Sequence, residues 1–152
     1  MEPLVQSVGG DVSAFAGPAW VTLAYVALYY LFIVNVLRVK LRGHRGARHT
    51  GEAFDRYFTR SREMLAADRA QLNMLEHMPV FLILMWVHAL LVSAFEATML
   101  GAVYTGTRAL YPMLVGRRMG RDVPVRLLPI TFTGYGILLA FGIRIGMVLL
   151  AG

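Results

Sequence analysis

The sequence predicts an all-α integral membrane protein, a bundle of four helices, and three observations carry that expectation. First, of 152 residues 57% are hydrophobic and only 16% charged, with a mean hydropathy of +0.57, outside the range of an ordinary soluble domain. Second, four apolar segments recur, Pro18–Leu37, Met78–Phe95, Ala97–Val115 and Val125–Ala151; a helix of roughly 20 residues crosses about 30 Å of hydrocarbon. Third, the basic residues follow the connections. Of fifteen Lys and Arg, nine lie between Arg38 and Arg69, five between Arg108 and Arg126, and one is Arg144. A net charge of +6 distributed in this way reflects membrane topology and not nucleic-acid binding. With four spans, the first and third connections share a side, which the positive-inside rule makes cytoplasmic, so both termini are expected on the opposite side.

The chain reads as a single unit over 1–152, with helices expected at about 18–42, 62–93, 96–116 and 124–150. Residues 1–17 are Gly-rich and contain no Lys or Arg, so they lack the basic start of a secretory signal and the first helix is expected to persist. Pro18 suits a first helical turn, and Trp20 suits an interfacial anchor. Gly43, Gly46 and Gly51 make the stretch from Gly43 to Arg62 read as a loop, with a short helix near Glu52–Arg60. His44 and His49 lack further ligands at metal-binding spacing, and no metal site is expected. Pro79 falls inside the second segment, where it removes a backbone hydrogen bond and bends the helix. Ser93–Glu96 is a short turn, so segments two and three form an antiparallel hairpin. Gly116–Val123 is a basic turn, and Pro124 suits the start of segment four, whose Gly134, Gly136, Gly142 and Gly146 permit close helix approach.

The candidate chemistry lies where polar residues run into segment two. Arg69, Asn73 and Glu76 stand at i, i+4 and i+7, one stripe of a helix carrying a cation, an amide and an anion. Charges at bilayer depth cost about 2.5–3.5 kcal/mol each, so such a stripe faces a bundle interior, a partner or a ligand. Segment three offers a second stripe, Tyr104, Arg108 and Tyr111, and an ion pair between Glu76 and Arg108 is sterically reasonable. Arg126 is expected at a helix N-terminus, where unsatisfied amides and the helix dipole favour an anion. Arg38 reads either as a flanking charge or as a groove residue contacting an anionic ligand. His88 reads as an outer-side polar residue or a helix-to-helix hydrogen bond, and Arg144 either snorkels or pairs. The chain has no Cys, so thiol chemistry requires a thiol brought by a ligand.

On Arg69-Ala70-Gln71-x-Asn73-x-x-Glu76-x-x-Pro79, Tyr104-x-x-x-Arg108-x-x-Tyr111 and Pro124-x-Arg126, the chain resembles the MAPEG family, membrane-associated proteins in eicosanoid and glutathione metabolism, over about residues 18–150. The resemblance points toward the microsomal glutathione transferase and leukotriene synthase members. It implies a four-helix protomer of a homotrimer, with glutathione as cofactor bound between subunits near the cytoplasmic side. Arg69, Asn73 and Glu76 are then expected to hold glutathione, with His77 beside them. Arg38 is expected to reach it across the subunit boundary, Arg108 and Tyr111 to line the site, and Arg126 to contact the thiol as the catalytic residue. Val115, Leu127 and Ile130 stand where prostaglandin-synthesising members have a tyrosine, a serine and a tyrosine, which argues against that isomerase activity.

The expected function is therefore that of a glutathione transferase, with possible peroxidase activity, acting on lipophilic small molecules dissolved among membrane lipids. A non-catalytic lipid-binding and lipid-presenting protein of the same architecture is the alternative, and a small transporter or channel subunit a third. Charges confined to one end disfavour a continuous polar path for the last of these.

Overall fold

The computed structural model describes residues 12–51, 53–55, 61–116 and 125–152. A 3₁₀ turn, Val12–Phe15, leads into α1, Ala16–Thr50; α2 is Arg62–Leu91, α3 Ala94–Val115 and α4 Leu128–Ala151, preceded by a 3₁₀ turn at Val125–Leu127. The described residues contain no strand. Three helical stretches, Ser13–Thr50, Arg62–Leu91 and Val125–Ala151, are long and apolar enough to cross a membrane. α3 is less apolar, carrying Glu96, Arg108 and three threonines. Its 22 residues still span about 33 Å at 1.5 Å per residue.

α2 and α3 form the expected hairpin. Ser93 caps α3, its Oγ accepting from the Glu96 N–H at 3.2 Å, and Ser61 caps α2 by accepting from Met64 N–H at 3.1 Å, the usual satisfaction of an orphan first-turn donor. α1 and α4 each pack against both α2 and α3. The helices run up and down. At one end, Phe15 stacks on Trp86, Gly17 packs directly on Thr98, and Glu96 meets Arg144. At the other, Lys40 pairs with Asp68 at 3.3 Å and Gly116 lies beside Arg126.

The core is aromatic. Tyr25, Phe81 and Tyr104 are fully buried, with the Phe81 and Tyr104 rings 4.2 Å apart and Tyr25 4.9 Å from Phe81. The Tyr25 hydroxyl donates to the Met74 carbonyl at 3.0 Å, which satisfies a buried polar atom and fixes the level of α1 against α2. Gly101 admits the close approach of α3, since a Cβ there would lie 2.8 Å from Met85 Sδ and 3.0 Å from Val21 Cγ1. Outward surfaces are apolar, Trp20, Phe132, Leu139 and Leu149 among them, as suits contact with lipid.

Two expectations are corrected. α1 does not end near residue 42: Gly43–Thr50 is helical and Gly51, at φ 72°, closes it with its N–H on the Ala47 carbonyl. Gly43 sits under Phe54, whose ring would be 3.0 Å from an added Cβ, so it serves a close approach and breaks nothing. Of the short helix expected at Glu52–Arg60, Ala53–Asp55 is non-helical; the remainder falls outside the described residues, as do Pro124 and all of the basic turn except Gly116.

Candidate functional site

The polar stripe of α2 is half inside the bundle and half outside. Asn73 is partly buried, whereas Arg69 and Glu76 are exposed on the single chain. Neither forms an ion pair among the described residues, and the expected Glu76–Arg108 pair is absent. Arg108 turns inward instead. It is 5% exposed; its Nη1 donates to Asn73 Oδ1 at 2.7 Å, its Nη2 to the Tyr104 hydroxyl at 2.8 Å, and its guanidinium lies 4.8 Å from the Tyr104 ring centroid. The spacing explains the choice: Tyr104 is one turn before Arg108 on the same face, and hairpin packing brings Asn73 level with it, one turn short of Glu76.

The consequence is a buried cation held by neutral groups. Arg108 Nε is buried without a hydrogen-bond partner, and a desolvated guanidinium without a carboxylate is expensive. Gly134 on α4 makes room for it, since a Cβ there would lie 3.4 Å from Arg108 Nη2. Because the guanidinium can only donate, the Asn73 amide presents its oxygen to Arg108 and keeps Nδ2 as a donor for something else. Tyr111 is half-buried between the aromatic core and a smaller cluster of Ala66, Val115 and Leu127. His77 stands edge-on to Tyr135 of α4, centroids 5.4 Å apart.

Arg126 lies in the 3₁₀ turn ahead of α4 and not in its first helical turn, so its anion-binding capacity rests on its own guanidinium more than on the helix dipole. It is exposed, with Nη2 3.7 Å from where a Gly116 Cβ would stand. Gly116 holds φ 80° at the end of α3. Arg38 is exposed on α1, and among the described residues no ion pair joins it to the α2 stripe. The structure thus unites Asn73, Arg108 and Tyr104, and leaves Arg38, Arg69, Glu76 and Arg126 on the outside of the chain.

A second polar cluster, at the opposite end, was not assembled from the sequence. Arg144 Nη2 donates to both Glu96 oxygens, at 2.8 and 2.9 Å, and Glu96 Oε2 lies 3.3 Å from Nε2 of the fully buried His88. The signal was present: opposite charges near the outer ends of antiparallel segments must lie at similar depth. Among the described residues no group of acidic and histidine side chains could hold a metal ion.

A polytopic helical membrane protein with a polar stripe on one helix and a buried arginine behind it is the class that fold and site define together. The MAPEG family model matches residues 18–147, and the chain belongs to that family, whose members are membrane proteins of eicosanoid and glutathione metabolism. No curated protein matches the chain closely enough to be called a relative.

Proposed function

We propose that this protein is an integral membrane glutathione transferase, with possible peroxidase activity, that activates the glutathione thiol toward lipophilic electrophiles or hydroperoxides. The observation that supports this reading most is Arg108, a buried cation with neutral partners and one unsatisfied N–H, set behind a stripe whose Arg69 and Glu76 face outward. The donor set fits glutathione, which offers two carboxylates, an ammonium and a thiol. Arg69 and Arg38 supply forked donors for carboxylates, Glu76 accepts from the ammonium, Asn73 Nδ2 donates to a peptide carbonyl, and Arg108 fixes Asn73 from behind. Glutathione itself brings the nucleophilic sulfur, since the chain has no Cys.

Arg126 has the catalytic task. A free thiol has a pKa of about 8.5, and being mostly thiolate at neutral pH requires lowering it by roughly two units, about 2.7 kcal/mol. A guanidinium close to the sulfur at a partly desolvated site is of that order. Exposed on the single chain, Arg38, Arg69 and Glu76 suit a site completed by neighbouring subunits of a homotrimer, its polar end on the cytoplasmic side. A non-catalytic, lipid-presenting role would require neither Arg126 nor the outward stripe.

Titration of glutathione into the purified, detergent-solubilised protein, with Arg69→Ala as the matched control, tests the reading: saturable binding lost in the variant is expected, and no binding by the wild type overturns it. Glu76→Gln should weaken binding while crosslinking in mild detergent still yields trimers; monomers alone would remove the shared site.

A further inference from the structure

Away from the α2 stripe, two hollows adjoin at the Lys40–Asp68 end of the bundle. The larger, about 730 Å³, lies between α1, α2 and the end of α3, with Phe32, Val39, Ala67, Ala70, Pro112 and Met113 along its wall. The smaller, about 480 Å³, is lined by Arg42, Gly43, Ser61, Arg62 and Glu63. Arg42 and Glu63 line both, so the hollows meet there. The larger chamber is lined mostly by apolar residues, with Asn35, Arg42 and Glu63 among them, and the smaller by charged and small residues. The larger volume falls within the roughly 300–1,000 Å³ of ordinary ligand sites.

We propose that the joined hollows bind a single-chain phospholipid, a lysophospholipid, within one protomer, its phosphate on Arg42 and Arg62 and its acyl chain along α1 toward Phe32. Three observations support that occupant. Among the described residues the polar chamber is lined by two arginines and one glutamate, a cationic surface suited to a monoanionic phosphodiester. Its volume exceeds what a bare carboxylate would fill. The apolar chamber runs inward from the charged end, Phe32 lying ten residues before Arg42 on α1, or about 15 Å deeper, the direction in which a lipid anchored by its head extends its tail. The site shares no side chain with Arg69, Asn73 and Glu76, so it stands or falls apart from the transferase reading.

The test uses the full chain in nanodiscs and a lysophosphatidylglycerol carrying a diazirine near its chain end. Photolabelling is expected on the peptides containing Phe32–Val39 and Pro112–Gly116 and is competed by unlabelled lysophosphatidylglycerol. Arg42→Gln combined with Arg62→Gln should lower labelling about tenfold or more, as loss of charge-assisted hydrogen bonds implies. Met113→Trp should block the tail chamber from an exposed position where folding is not at stake, and Ala67→Leu should do so from the α2 side. Glutathione titration of the same variants should be unchanged. Labelling spread over lipid-facing residues such as Leu139 and Leu149 and insensitive to competitor overturns the site. Equal labelling by a diazirine fatty acid that survives both arginine changes overturns the assigned occupant, and so does preferential labelling by a diacyl phospholipid probe.

Discussion

Replacing Arg108 by Met separates a binding role from a structural one, because the two roles predict different losses of stability and of affinity. The side chain is 5% exposed and donates to Asn73 at 2.7 Å and Tyr104 at 2.8 Å. Hydrogen bonds to charged groups contribute about 1.5–3 kcal/mol each, so the variant forgoes about 3–6 kcal/mol. Against this, burying a guanidinium carries a desolvation penalty of several kcal/mol, and no carboxylate offsets it here. Met fills a similar volume, and the acceptors it leaves without that donor, Asn73 Oδ1 and the Tyr104 hydroxyl oxygen, are neutral. The terms nearly cancel, and Arg108→Met should unfold within about 1.5 kcal/mol of the wild type. Glutathione affinity should fall about 10- to 140-fold, one charge-assisted bond at 1.4 kcal/mol per decade, through loss of the positive field and of the fixed Asn73 amide. Thermal unfolding in detergent and isothermal titration read the two quantities. Destabilisation beyond about 3 kcal/mol with unchanged affinity would refute the argument and make Arg108 a structural cation.

Arg126→Ala should keep glutathione binding within a few-fold but abolish the ultraviolet absorption of the bound thiolate; a persistent thiolate band removes Arg126 from its role. His88→Ala should cost about 2–4 kcal/mol by thermal unfolding, since it empties a fully buried site and breaks a hydrogen bond. Arg144→Gln should cost about 1 kcal/mol or less because both partners of that pair are more than two-fifths exposed; the reverse ranking of these two would contradict the burial argument. Gly101→Val should destabilise by about 1–3 kcal/mol through collision with Met85 and Val21, and a neutral melting temperature would show that α3 can slide.

Helix count and hairpin pairing were legible because hydropathy and short polar turns are local signals, and residues 18–37 state them without a single charge. The end of α1 was not. Glycines at 43 and 46 read as breakers, yet Arg45, Ala47 and Arg48 favour helix, and Phe54, eleven residues from Gly43, decides the matter by packing over it. The stripe Arg69, Asn73, Glu76 was legible as periodicity, while the partner of Arg108 was not: Asn73 and Glu76 are one turn apart, and only packing selects between them. Formal charge favoured Glu76, and geometry selected Asn73. His88, Glu96 and Arg144 illustrate the converse, three residues read singly whose relation appears once the antiparallel order places them at one depth.

The level at which the helices interlock gives Glu76 its significance. Tyr25 bonds the Met74 carbonyl, and Tyr25 stands twelve residues before Leu37, the last apolar residue before the charged boundary, or about 18 Å along the helix. Glu76, two residues beyond Met74 and eight, about 12 Å, beyond the Asp68 that pairs with Lys40, therefore lies within the hydrocarbon of a span of about 30 Å and faces out of the chain. An ionised carboxylate facing lipid at that depth would cost about 2.5–3.5 kcal/mol, whereas Glu96 at the far end has its charge met within the chain by Arg144. The contrast bears on function, because the same chain that satisfies one glutamate internally leaves the other for something outside itself. Phospholipid headgroups can answer Arg38 and Arg126 near the boundary, but not a carboxylate within the hydrocarbon. A ligand ammonium or a neighbouring subunit can, and both are what a glutathione site shared between protomers would supply.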